Sequence, residues 1–268
     1  MVAPPPPGEC CMRLVLPVLC ALVLALPLAA AELVGHRAQY RLALETARGD
    51  VIGASGTMTY EIIDACDAWA VRQRLAISVT ARDGTDIDLA AEYTTWESKD
   101  GLRLRFRMRQ TTDDTPVTDI AGTATLERKG GPGEAVFAVP ADTRRALPAG
   151  TMFPTGHTEA VIAAARAGQR FLAVPIFDGT SADGAQDSTV AITGWSPPAA
   201  NPWPALAPLP STRVRIAFFD RDSGQQQPEY EVGLRYWENG IADQLSMDFG
   251  DYVLGGKLTE LLVTKPNC

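Results

Sequence analysis

Along most of this chain apolar side chains recur at every second position, the period of a strand with one buried face. Ala38, Tyr40, Leu42 and Leu44 alternate with polar residues, Arg48-Gly49-Asp50 supplies a turn, and Ala54, Gly56, Met58, Tyr60 and Ile62 resume the alternation. Trp69, Val71, Leu75, Ile77 and Val79 form the next run, ending at Arg82-Asp83-Gly84, and Ile87, Leu89, Ala91 and Tyr93 follow. Beyond Ser98-Lys99-Asp100-Gly101 come Leu102, Leu104, Phe106 and Met108. Weaker strands are expected over residues 117–128 and 134–140, split by Lys129-Gly130-Gly131-Pro132-Gly133, then over 171–177, 189–192 and 213–219. Residues 230–238 and 241–249 flank Asn239-Gly240, a strong signal for a two-residue hairpin loop. That loop would set Leu234 opposite Leu245, Val232 opposite Met247 and Tyr230 opposite Phe249, apolar against apolar. A last strand is expected over 257–263.

The 3.6-residue period shows once, over 155–167, where Val161, Ile162, Ala163, Ala164 and Ala165 are flanked by Pro154 and Gly168. Glu159 is expected in its first turn. Small apolar residues on more than one face predict a buried helix, enclosed by a curved sheet. Residues 194–210 hold six prolines with Trp195 and Trp203. A linker there would leave no self-sufficient domain after it, so the stretch reads as a surface loop of one domain. The two tryptophans are a candidate partner surface, unless both pack back on the sheet.

The N-terminus departs from this pattern. Residues 14–28 are apolar and uncharged, with Arg13 before them and Ala29-Ala30-Ala31 after. This is the layout of a secretory signal peptide, residues 1–31, with Met12 as an alternative start. Cys20 sits mid-run behind Leu19, which argues against a lipid anchor. Cleavage after Ala31 leaves residues 32–268 as a single β-rich domain with two cysteines, Cys66 and Cys268. In an oxidising compartment two such thiols are expected to form one disulfide, the alternative being two free thiols. Closing so long a loop is worth on the order of 5 kcal/mol in the chain-entropy model.

Charge and motifs exclude more than they identify. A net charge of −8 argues against nucleic acid as a partner. His36 and His157 show no metal-binding spacing, and no cofactor or metal is expected. Gly53-Ala54-Ser55-Gly56 is one residue short of a nucleophile elbow and lies in a hairpin. His157, in the first helical turn, is expected to cap or pack. Arg103, Arg105, Arg107 and Arg109 share one strand face. If residue 97 faces 102, Trp96 meets Arg103 and Glu92 meets Arg107, and the stripe is neutralised by its own sheet.

Several stretches resemble the EipB-like family of bacterial periplasmic cell-envelope integrity proteins. They are His36-Arg37-Ala38-Gln39-Tyr40, Leu147-Pro148-Ala149-Gly150-Thr151-Met152-Phe153-Pro154-Thr155-Gly156-His157, Phe177-Asp178-Gly179-Thr180, Phe218-Phe219-Asp220 and Asp248-Phe249-Gly250-Asp251-Tyr252-Val253-Leu254. Cys66 and Cys268 match the family's cysteine pair. The resemblance implies a single spiral-like, barrel-like antiparallel sheet with one short helix inside. It also implies a periplasmic protein that supports the envelope, with a periplasmic tetratricopeptide-repeat protein as functional partner and no catalytic residues to carry over.

Three functions are compatible with these features. The first is a non-enzymatic periplasmic factor acting through protein contacts. The second is a carrier of a lipid or other apolar ligand, its cavity lined by Met58, Met108, Met152 and Phe153. The third, least supported, is a hydrolase using Asp248 and Asp251. Intact-mass measurement of protein recovered from the periplasm without reductant should show a chain starting at Glu32 and lighter by two hydrogens than its reduced form. Retention of residues 1–31 would refute the export reading.

Overall fold

The computed structural model describes residues 32–221, 226–266 and 268, so the expected signal segment lies outside the described residues. The strands are β1 (His36–Ala47), β2 (Val51–Asp64), β3 (Ala68–Ala81), β4 (Asp86–Ser98), β5 (Arg103–Thr112), β6 (Thr115–Leu126), β7 (Gly133–Val139) and β8 (Thr143–Leu147). After the helix α1 (Pro154–Arg166) come β9 (Phe171–Ile176), β10 (Gln186–Ser196), β11 (Ser211–Phe219), β12 (Tyr230–Trp237), β13 (Ala242–Asp248) and β14 (Tyr252–Val263). All belong to one antiparallel sheet in the order β8-β7-β6-β5-β4-β3-β2-β1-β14-β13-β12-β11-β10-β9. Two meanders are thus joined at the β1–β14 seam, where His36 faces Val263 and Ala47 faces Tyr252.

The sheet curls on itself without closing, and β8 and β9 are its edges. What joins them is the chain between. Met152 forms a parallel bridge with Ile176: its N–H donates to Pro175 O at 2.9 Å, and its carbonyl accepts from Phe177 N–H at 3.0 Å. The polypeptide then enters the spiral as α1. Val161, Ala164 and Ala165 pack on Val190, Val214 and Ile216 of one meander, while Ile162 packs on Ile62, Trp69 and Val71 of the other. Burial on two faces explains why so many of its residues are small. At its C-terminus Gly168, with φ of 75°, donates to Ala165 O, and Gln169 donates to Ala164 O, a Schellman closure.

Tight coiling demands close backbone approach. A Cβ on Gly56 would stand 2.1 Å from Ala76 O, so only glycine fits where β2 crosses β3. A separate cluster fills the space under β5–β7, where Phe106, Phe137 and Phe177 meet edge to face at 5.3–6.2 Å between ring centroids.

Several sequence expectations are corrected. The β12–β13 connection is not a two-residue loop: Trp237 N–H bonds Ile241 O, and Gly240 takes φ of 84° in a three-residue turn. A bulge at Gln244, φ 54°, then removes the offset, so Val232 does face Met247 while Leu234 and Leu245 fall at the register shift. The turn after β4 is two residues longer than expected, because Ser98 Oγ and Asp100 Oδ1 accept the N–H groups of Arg103 and Leu102 and hold a wider loop. Trp96 therefore faces Arg105, and Glu92 faces Arg109. An even shift keeps every side chain on its face, but the carboxylate that meets the stripe is Asp119 of β6, while Glu92 bridges Arg74. Arg105 lies over the Trp96 ring at 5.0 Å, and Arg107 and Arg109 reach Asp119. Strands β10 and β14 are longer than expected, and β8, with Arg144 and Arg145 in a five-residue run, gave no clear alternation.

Cys66 and Cys268 are bonded, with Cα atoms 5.8 Å apart and a sequence separation of 202. Cys66 sits in the β2–β3 turn, and the bridge ties the residues after β14 to the opposite side of the seam. Cys66→Ser should cost about 2–5 kcal/mol in urea unfolding without changing the circular dichroism of the native state. An unchanged midpoint would show that the bridge constrains only the tail.

Candidate functional site

The inner face of the spiral follows strand parity, and polar residues interrupt its apolar series at several positions. On β3 the inward series Val71, Leu75, Ile77 is interrupted by Gln73. On β4 the inward series from Leu89 through Tyr93 continues into Thr95 and Glu97, both buried. Neither Gln73 nor Glu97 was singled out from the sequence, although a polar residue at an inward parity is the signal that marks them.

Glu97 holds the helix. Thr155 N–H donates to its Oε2 at 2.7 Å and Gly156 N–H to its Oε1 at 2.8 Å. Phe153 at the N-cap supplies no side-chain hydrogen bond, and Glu159 falls in the second turn because the helix begins at Pro154. A carboxylate from the facing strand thus does the work of a capping residue and faces the positive end of the helix dipole. Burial in the interior outweighs those hydrogen bonds and pushes the Glu97 carboxyl up to about 7. His157, in the first turn, packs rather than binds: it is buried, and its Nε2 shares a hydrogen with Ser188 Oγ at 2.9 Å. Burial lowers its imidazole to about 4.

Beside the start of α1 lies a cavity of about 350 Å³. Its walls come from β1–β4, β11–β13 and the first turn of α1. Tyr60, Gln73 and Tyr93 form one row across three strands, since Tyr60 faces Gln73 and Gln73 faces Tyr93. Met58, Leu75, Leu234, Leu245 and Met247 supply apolar wall, and Tyr230 and Phe249, the more exposed aromatics, stand at the rim. Tyr40 donates to Ala242 O at 2.7 Å and Tyr93 to Asp178 O at 2.6 Å, which fixes two of the five lining tyrosines. Thr95 Oγ1 is buried with no hydrogen-bond partner.

Of the expected cavity residues, Met58 alone lines this space. Met108 is packed in the phenylalanine cluster under β5–β7, Phe153 is buried with it, and Met152 serves the β9 bridge. Met108 has inward parity on β5, but the helix entry and the β9–β10 connection fill that part of the spiral. Trp195 and Trp203 are half-buried against core clusters rather than displayed, Trp195 lying 5.8 Å from the Arg166 guanidinium. Asp248 is committed to Arg48 at 2.9 Å, which holds its carboxyl below the usual range. Among the described residues no cluster fit to hold a metal occurs, and no helix is long and apolar enough to cross a membrane.

The opposed shifts of Glu97 and His157 give a test of this interior. Glu97 binds its proton more tightly when folded, so its contribution to stability is full below about pH 4.5 and is lost as pH rises toward 7. His157 binds its proton less tightly when folded, so its contribution is full above about pH 6.5 and is lost as pH falls toward 4. Glu97→Gln should therefore leave a protein whose melting temperature falls as pH drops from 6.5 to 4.5. His157→Gln should leave one whose melting temperature rises over the same interval. Profiles parallel to that of the parent protein would show that neither group is buried as described.

A model of the EipB-like family matches residues 27–265. The chain is 31% identical over 242 residues to the cell envelope integrity protein EipB of Brucella abortus (strain 2308), covering 87% of this chain and 85% of that protein. It is also similar to the crystal structure of a beta-barrel-like protein, of domain of unknown function DUF1849, from Brucella abortus. The TM-score is 0.80 and the identity 30%, covering 88% of this chain and all of that one.

Proposed function

The chain belongs to the EipB-like family, and from that premise we propose that it is a periplasmic, non-enzymatic factor that maintains cell-envelope integrity through contacts with other envelope proteins. The observation that carries this reading is the 31% identity with an envelope integrity protein over 87% of the chain. The family match spans residues 27–265, from β1 through α1 to β14, rather than one short motif.

The outer surface supports a role in protein contact. Ile63 on β2 and Leu262 on β14 share the outer face and are exposed on either side of β1, close to where the Cys66–Cys268 bridge crosses. Exposed apolar side chains grouped in this way suit a partner more than water. The partner in this reading is the periplasmic tetratricopeptide-repeat protein that the family resemblance implies.

Deleting the gene in its own bacterium should raise sensitivity to detergent and to cell-wall antibiotics, and the intact chain should restore resistance. Ile63→Asp combined with Leu262→Asp should fail to restore it while the purified variant melts within a few degrees of the parent protein. A deletion strain with an unaltered envelope would overturn the reading. Full rescue by the double variant would exclude this contact surface.

A further inference from the structure

The cavity beside α1 has a polarity of its own. None of its lining residues is Lys or Arg, and both lining histidines are buried with their imidazoles shifted toward the neutral form. An anion entering it would lose its hydration and meet no opposite charge. A cation fares little better. The one lining carboxylate, Asp178, has its Oδ1 occupied by the N–H and hydroxyl of Thr180, and burial raises its carboxyl toward the protonated form.

What the cavity does offer is hydrogen bonding without charge at one end and apolar wall over the rest. Gln73 is the only amide side chain in the lining and stands between Tyr60 and Tyr93. Thr95, on the same face of β4 as Tyr93, is 6% exposed, and its hydroxyl is left unpartnered. Folded proteins rarely leave a buried hydroxyl in that state, and a ligand group is one way to complete it. Away from this row the surface is thioether and aliphatic, a lining that adapts to a flexible chain. The volume of about 350 Å³ holds roughly a dozen waters at liquid density and lies at the small end of ligand sites.

We propose that this cavity binds an uncharged amphiphile. Its apolar chain lies between Met58, Leu75, Leu245 and Met247, and its hydroxyl, ester or amide head is hydrogen-bonded by Gln73 and Thr95. Tyr230 and Phe249 at the rim admit it. The site is separate from the outer surface assigned to partner contact, and each stands or falls without the other.

The test is titration calorimetry on the mature, disulfide-bonded chain at pH 8 with three probes of one chain length: monodecanoylglycerol, decanoate and decyltrimethylammonium. The neutral probe should bind, and the two charged probes should bind about tenfold more weakly or not at all, because each must bury a charge unpaired. Gln73→Leu and Thr95→Val, which keep side-chain volume nearly unchanged, should each weaken the neutral probe about fivefold, the worth of one hydrogen bond. Met247→Trp, filling the apolar end, should abolish binding, with thermal melting of each variant as the control for folding. Failure of the neutral probe to bind the parent protein would overturn the proposal. So would equal affinity for a charged probe, or affinity unchanged in folded Gln73→Leu and Thr95→Val proteins.

Discussion

Two amide hydrogens of α1, those of Thr155 and Gly156, end on the carboxylate of Glu97, and the architecture depends on that contact. The sheet has fourteen strands and two free edges, so backbone pairing alone cannot tell it how far to curl. The segment between the edges decides this, because it contains the helix that both meanders wrap. Capping from the opposite wall anchors the start of the helix to β4, while Val161 and Ile162 fix its sides to different halves of the sheet. A buried carboxylate is costly, and its elevated proton affinity records the cost. What it secures is the position of α1 inside an open spiral.

The same placement creates the cavity. The helix enters at one end of the spiral and fills the space toward β9–β11, while Phe177 and the following connection fill the space under β5–β7. Between these plugs, parts of the inner faces of β1–β4 and β11–β13 line the open space. The stretches that resemble the EipB-like family converge here: His36 and Tyr40, Pro154 and His157, Asp178, Phe218 and Phe249 all lie in the lining, though far apart in the chain. The lining of this space carries no Lys or Arg, and the chain has a net charge of −8.

Strand parity made the inner face largely readable, including its exceptions. Gln73 and Glu97 interrupt apolar series at inward positions, and both turn out to matter. Register was less readable. Asn239-Gly240 favours a two-residue turn, yet the hairpin uses three residues and recovers its pairing through the bulge at Gln244. The packing of Trp237 and Ile241 into the seam core outweighs the local turn preference. The loop after β4 shows the same precedence of hydrogen bonding by Ser98 and Asp100 over the shortest connection.

The sequence by itself determined the alternation of buried and exposed faces, the positions of nearly all described strands, the helix with its glycine stop, the cysteine pair and an acidic net charge. These are properties of neighbouring residues, set by the two-residue and 3.6-residue periods and by turn chemistry. Only the tertiary structure decided which inward residues line a cavity and which fill a core. Met58 and Met108 have the same parity and chemistry, but one faces open space and the other the phenylalanine cluster. That difference depends on where α1 and the β9–β10 connection lie, and their positions are fixed by contacts between residues dozens of positions apart. No local period encodes such contacts.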